Sequence, residues 1–369
     1  MVTEILPIPE SFSKEQIDEL KERIPYLSEQ IKFVSTNESK EIVIKLEDFD
    51  SKLKTDIVQN FDSLVDAITS WRPIKDRVLK SNSSTINAKA ETEANISNFY
   101  NEDMIQLFEF FDQKILNISN KFSAELREYP TVLPIGVMQK SQYHIHFPQN
   151  LFAMHDIPHD YKVLHTIRSN PEQIEQAFRL RGYLQPCICY HCYEEWADKK
   201  MTAGIISAKG RCFRHELKGE RNINRKTEFT MREIVFVGNQ EAVDNLRDSI
   251  MDETWKLFNE LGFTGKIVTA SDPFYYSDEL GKISYQKLSN TKYELKVDSN
   301  IKSASVAIAS FNNCFDQLSR KFNIKNSSGD EFLSSGCVAF GLDRWVNTFI
   351  TCYGTDKNQW PEPVKSMTF

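Results

Sequence analysis

From Ile17 onward, apolar residues return every three or four positions, at Ile17, Leu20, Ile24 and Leu27, with charged residues between them. That period predicts an amphipathic helix, and Ser13-Lys14-Glu15-Gln16 at its start reads as a capping box. The period then drops to two. "IKFVS" and "EIVIKL", separated by the polar turn "TNESKE", predict a hairpin. A second helical pattern runs from about Asp50 to Trp71 and turns Leu53, Ile57, Leu64, Ile68 and Trp71 inward. Residues 1–80 therefore predict a small α+β module with more acidic than basic residues.

"KSNSSTINAKAETEAN", which begins at Lys80, is polar and poor in large apolar residues, and it marks residues 81–95 as a linker. A long helical pattern follows to about Arg127, ended by "EYPTVLPIG". The strand-like runs "CICYHCY", "EIVFVG", "YELKVD" and "SVAIAS" then alternate with the helical runs "EAVDNLRDSIMDETWKLFNELG" and "NCFDQLSRKF". Few crossover helices separate neighbouring strands. Residues 96–369 accordingly predict a second α+β domain, an antiparallel sheet flanked by helices rather than a doubly wound one.

A chain of 369 residues exceeds the usual size of one domain, and its 40% hydrophobic content with 25 phenylalanines suffices for a large core. The net charge of −7 disfavours a partner held mainly through phosphates. No basic start precedes an apolar core at the N-terminus, and no apolar run is long enough to cross a membrane. Seven cysteines, an odd number, predict reduced thiols in a cytoplasmic protein rather than a disulfide framework.

Candidate chemistry concentrates in "CFRHELKGERNINRKTEFTMREIVFVG", residues 212–238. On a strand, Arg214 and Glu216 would share a face, and Phe229 on the next strand could stack on a planar ligand. An arginine, a carboxylate and an aromatic ring so placed suit a nucleotide; a solvated hairpin with surface ion pairs is the alternative. The cluster Cys187, Cys189, His191 and Cys192 reads either as a local metal knuckle or as buried small apolar residues. Cys337 in "SSGCVAFGLDRW" stands at a predicted strand-to-helix junction.

"FRHE", the spacing from Arg225 to Phe229, "MRE" and the distant "GCVAFGLDR" resemble motifs 2 and 3 of class II aminoacyl-tRNA synthetases. "EYPTVLPIGVMQKSQYHIHFPQNLF" resembles the motif 1 region that forms the dimer interface in that superfamily. The pattern, from about Asn95 to Phe369, is most similar to atypical, methanogenic-type seryl-tRNA synthetases and to their shortened homologues, the amino acid:carrier protein ligases. The resemblance implies ATP and Mg²⁺ as cofactors. Arg214 would hold the α-phosphate, Glu216 the adenine amino group, Phe229 the adenine face and Arg344 the γ-phosphate. Arg225 would add a phosphate contact, and Glu294 in "YELKVD" would bridge Mg²⁺. Arg214, Arg344 and Glu294 would thus be catalytic.

In these relatives a Zn²⁺ held by two cysteines and a glutamate leaves a position for the substrate's amino group. The matching residues are Cys189, Glu233 and Cys337. Asn312 falls near the implied substrate pocket or, alternatively, caps a helix. Asp272 matches a substrate-side loop, although Asp-Pro is also ordinary turn chemistry. The implied activity is ATP-dependent activation of a small amino acid and its transfer to the phosphopantetheine thiol of a carrier protein, by a homodimer. Charging of tRNA and a catalytically inactive homologue are the alternatives.

Overall fold

The computed structural model describes residues 2–37, 41–47, 50–83, 100–216, 222–274, 276–298 and 306–365. The chain begins with β1 (Val2–Leu6), α1 (Lys14–Arg23), β2 (Ile31–Thr36), β3 (Ile42–Leu46), α2 (Ser51–Ser70) and β4 (Val78–Ser81). It continues with α3 (Glu102–Lys121), β5 (Glu125–Arg127), β6 (Val132–Pro134), α4 (Ile135–Ser141), α5 (Tyr143–His146), β7 (Ala153–Asp156) and α6 (Tyr161–Ser169). Then come β8 (Arg179–Leu184), α7 (Cys189–Glu195), β9 (Gly204–Phe213), β10 (Glu228–Gly238), α8 (Gln240–Glu260) and β11 (Gly265–Thr269). The last elements are α9 (Leu280–Leu288), β12 (Lys292–Val297), β13 (Val306–Phe315), α10 (Gln317–Lys321), β14 (Ser334–Gly341), α11 (Leu342–Tyr353) and α12 (Glu362–Lys365).

Two compact units divide the chain. The first joins Met1–Val78 with Glu216–Arg221 and Val268–Lys292. Its sheet has the order β1-β3-β2. Ile42 and Ile44 of β3, Leu20 of α1, Ile57, Phe61 and Ile68 of α2, and Leu280 and Ile283 of α9 form its core. The Ser13 capping box is formed, and the Gln16 amide also donates to Ile68 O at 2.8 Å, so one side chain starts α1 and holds the end of α2. β1 was not legible in the sequence, since it is an edge strand with only Leu6 deeply buried.

The second unit is built on an eight-stranded sheet of order β4-β11-β12-β13-β14-β10-β9-β5, with β9, β10, β14 and β13 antiparallel in turn. One face carries Ile234, Phe236, Phe311, Val338 and Phe340 against α3, α8 and α11. The opposite face carries Ile206, Ala208, Cys212, Met231, Val235 and Cys337 against α4, α7 and a small sheet of order β6-β8-β7. This is the α+β arrangement expected, a largely antiparallel sheet flanked by helices.

Four local expectations are corrected. "CICYHCY" is not a strand: Cys189–Glu195 is helical and buries Cys189, His191, Cys192 and Tyr193. Alternation over so short an apolar run does not separate strand from buried helix. The long helix stops at Lys121 rather than Arg127, because Ser123 adopts a left-handed conformation with φ 56° and the chain leaves as β5. Arg214–Glu216 lie beyond the end of β9 instead of on it. Asn312–Phe315 belong to β13, and the helix of "NCFDQLSRKF" begins only at Gln317. Val78–Ser81 is strand β4, and residues 84–99 of the expected linker and helix start lie outside the described residues.

Candidate active site

β10 is buried almost throughout, from Thr230 to Gly238, so every charge on it needs a partner. Arg232 has one. Its Nε donates to Asp112 Oδ1 of α3 at 2.7 Å and its second terminal nitrogen to Oδ2 at 3.1 Å, while Lys209 Nζ also reaches Oδ2 at 2.8 Å. Burial alone would raise the Asp112 carboxyl, but the hydrogen bonds and charges of Arg232 and Lys209 hold it below its ordinary value.

Glu233, one residue on, points to the other face and is 2% exposed. Among the described residues its Oε2 has no hydrogen-bond partner. Burial pushes its carboxyl up to about 7, against the backbone N–H groups of Cys189 and Ile188, which donate to it. On the flanking strands it faces Ala339 and Ala208, both small side chains. The start of α7 packs against the carboxylate. The sulfurs of Cys187 and Cys189 lie 3.5 Å apart and, with a Glu233 oxygen, all fall within 4.8 Å of one another. Cys337, one same-face step from Ala339, neighbours Cys189 but lies outside this group of mutually close donors. Two soft thiols and a buried carboxylate with one oxygen lacking a hydrogen-bond partner among the described residues suit Zn²⁺ better than Mg²⁺.

Asn312 sits in mid-strand directly opposite Cys337, with Nδ2 3.3 Å from Cys337 O and 3.5 Å from Cys337 Sγ. The helix-cap alternative for Asn312 is thereby replaced by contact with the cysteine. Glu294 on β12 alternates with Tyr293, Leu295 and Val297 of the helix-side core. It therefore faces the same side as Asn312 and Glu233, where Lys296 lies 3.5 Å away.

The other end of this face carries Phe229, four residues or about 13 Å along β10 from Glu233. Arg214 lies over its ring, 5.3 Å from the centroid, and Arg214 Nε donates to Pro186 O at 3.2 Å. The arginine on the aromatic ring thus also holds the segment that leads into Cys187 and Cys189. Arg344, in the first turn of α11, donates to Asn224 O and Ala307 O, each at 2.8 Å. Arg225 is exposed on the tight loop closed by reciprocal backbone bonds with Asn222.

The second unit thus brings together Cys189, Glu233, Cys337, Asn312 and Glu294 on one sheet face with Phe229 and Arg214, and places Arg344 and Arg225 in the loop and helix at its end. Glu216 and Asp272 belong to the first unit. There Asp272 accepts from Gln286 Nε2 at 2.8 Å and from Lys292 Nζ at 2.5 Å. Of the cluster read either as a local metal knuckle or as buried apolar residues, Cys187 and Cys189 group with Glu233, whereas His191 and Cys192 are outside that group. One feature escaped the sequence reading. Asp343, next to Arg344, accepts from Thr230 N at 2.6 Å and from Lys226 Nζ at 3.3 Å, and bonds the Tyr100 hydroxyl.

One end of this sheet face carries Phe229 under Arg214 and the other the buried Glu233 beside two thiols, and comparison with known proteins gives that arrangement its context. Residues 173–353 match the tRNA synthetase class II core domain (G, H, P, S and T), so this stretch of the chain is a class II synthetase-like core. It is 23% identical over 290 residues to the type-2 serine–tRNA ligase of Methanopyrus kandleri, covering 72% of this chain and 55% of that protein. It is 29% identical over 187 residues to amino acid–[acyl-carrier-protein] ligase 1 of Bradyrhizobium diazoefficiens, covering 50% of this chain and 56% of that one. The chain spans about half the length of these curated relatives. Its fold aligns with the M. kandleri SerRS solved in complex with A. aeolicus tRNASec, with TM-score 0.71 and 18% identity over 98% of this chain and 76% of that one. Among the described residues no helix is long and apolar enough to cross a membrane.

Proposed function

We propose that the protein activates a small amino acid with ATP as the aminoacyl-adenylate and passes it to the phosphopantetheine thiol of a carrier protein. The observation that carries this reading is the shared sheet face, where a buried Glu233 beside cysteine sulfurs lies four residues along β10 from Phe229 under Arg214. One end suits an amine-binding metal and the other suits ATP, the two needs of amino-acid activation.

Cys189, Glu233 and Cys337 would hold Zn²⁺, which when bound supplies a Lewis-acid position for the substrate's amino group. Arg214 and Arg344 would oppose the charge of the triphosphate, Phe229 would stack on adenine, and Glu216 and Arg225 would complete the nucleotide contacts. Glu294 would meet Mg²⁺. Attack of a carboxylate on the α-phosphate then needs positioning and charge stabilisation above all, and arginines fixed by backbone carbonyls provide both. Asn312, on Cys337, is placed to touch the amino acid, and Asp272 is proposed on the substrate side. A homodimer in the cytoplasm, with reduced thiols, completes the proposal.

A carrier-protein acceptor is supported by the net charge of −7 and by the likeness to a carrier-protein ligase. A tRNA acceptor is the second reading, favoured by the alignment of 98% of the chain with a synthetase solved bound to tRNA. Incubation with ATP, labelled amino acid, and either a phosphopantetheine-bearing carrier protein or bulk tRNA separates the two. Label on the carrier thiol is the expected result; label on tRNA alone would transfer the conclusion to the second reading.

A further inference from the structure

We propose that Cys187 is a further metal-binding residue of this site, grouped with Cys189 and Glu233 and added to the set that includes Cys337. The proposal deepens the zinc reading above and rests on it. Donors bound about 2.0–2.3 Å from one ion lie within roughly 4 Å of each other. Cys187 Sγ meets that condition with Cys189 Sγ at 3.5 Å and shares the 4.8 Å cluster with the Glu233 carboxylate. Glu233 is 2% exposed and has one oxygen without a hydrogen-bond partner among the described residues, so the cluster offers a carboxylate oxygen as well as thiols.

The backbone around Cys187 is fixed from both sides. Arg214 Nε holds Pro186 O, and Glu233 accepts from the N–H groups of Ile188 and Cys189. Both thiols are thereby presented to the same carboxylate without help from a ligand. Other buried cysteines are placed differently: Cys212 faces Phe229 across the strands, and Cys192 lies along α7 with Tyr129 as its neighbour.

A third thiolate changes the site's character. Three donors leave a coordination place for a substrate, whereas four close it. Cys189 is held in a helix and Glu233 and Cys337 in central strands; Cys187 precedes α7, so rotation of its side chain, with the backbone still held, would reopen the site.

The test is Co²⁺ titration of the full-length protein, read by the thiolate charge-transfer absorption, with zinc affinity measured by competition against a chromophoric chelator. Cys187→Ser should lower the charge-transfer intensity by about one third, one thiolate of three, and weaken zinc binding at least ~10-fold. Cys192→Ser, with its far-ultraviolet spectrum checked, should leave both readings unchanged and controls for general damage to the fold. An unchanged spectrum and affinity in Cys187→Ser, with Cys337→Ser reduced, would overturn the proposal and leave the three-donor zinc reading standing. Failure of the wild-type protein to bind Co²⁺ or Zn²⁺ would overturn both.

Discussion

Asp343 Oδ2 accepts the Thr230 backbone N–H at 2.6 Å, tying the first turn of α11 to the strand that carries Phe229 and Glu233. The same carboxylate faces Lys226 and Tyr100 while only 4% exposed. Because Arg344 is the next residue, this bond also sets where that guanidinium begins. Asp343→Ala should cost about 1.5–3 kcal/mol in urea unfolding, the range for a lost hydrogen bond to a charged group. It should also raise the KM for ATP, since Arg344 and the loop from Asn222 lose their common anchor. Asp343→Asn should recover part of the stability, because an amide oxygen still accepts from Thr230.

Arg344 and Phe229 should separate in kinetics. Arg344→Ala should lower adenylate formation ~100-fold or more, the size of effect seen when one charge-stabilising donor is removed. Phe229→Leu keeps an apolar surface but loses the ring, so it should raise the KM for ATP with kcat changed little. Steady-state pyrophosphate exchange measures both. Arg344→Ala activity within a few-fold of wild type would remove its assigned role.

The Asp112–Arg232 pair is a structural prediction, independent of catalysis. Asp112→Ala strands a buried guanidinium and should cost about 3–5 kcal/mol. Because the folded carboxyl titrates below its unfolded value, its contribution is complete above the unfolded value and is lost as pH falls through the folded one. The stability gap between wild type and Asp112→Asn should therefore be level near neutrality and shrink below about pH 4. Denaturant titrations across that range check it.

Metal content follows the buried acid. Glu233→Gln and Cys337→Ala should each reduce copurified zinc well below one per chain by atomic absorption, and chelation of the wild-type protein should abolish amino-acid-dependent activity. Undiminished zinc in either variant would remove that residue from the site.

Much of this was legible because the elements agree with their own local patterns. Ser13 and Asp50 cap the helices they were expected to start, and "EIVFVG" alternates between two cores as a central strand must. Arg214, Phe229 and Arg344 were singled out because they fall at fixed motif spacings, and Arg214 lies over the Phe229 ring. The sulfur cluster was harder. Cys187 and Cys189 precede and begin a seven-residue helix whose sequence alternates like a strand, and only tertiary burial decides between the two. Asp343 was invisible for another reason, since its partners Tyr100, Lys226 and Thr230 are distant in sequence and meet only through the sheet.

The central claim is amino-acid activation, and exchange of labelled pyrophosphate into ATP over a panel of amino acids, before and after zinc stripping, tests it most directly. Chelator-sensitive exchange with one or two small amino acids is the predicted result. No exchange with any of them, in protein shown to carry zinc, would contradict it.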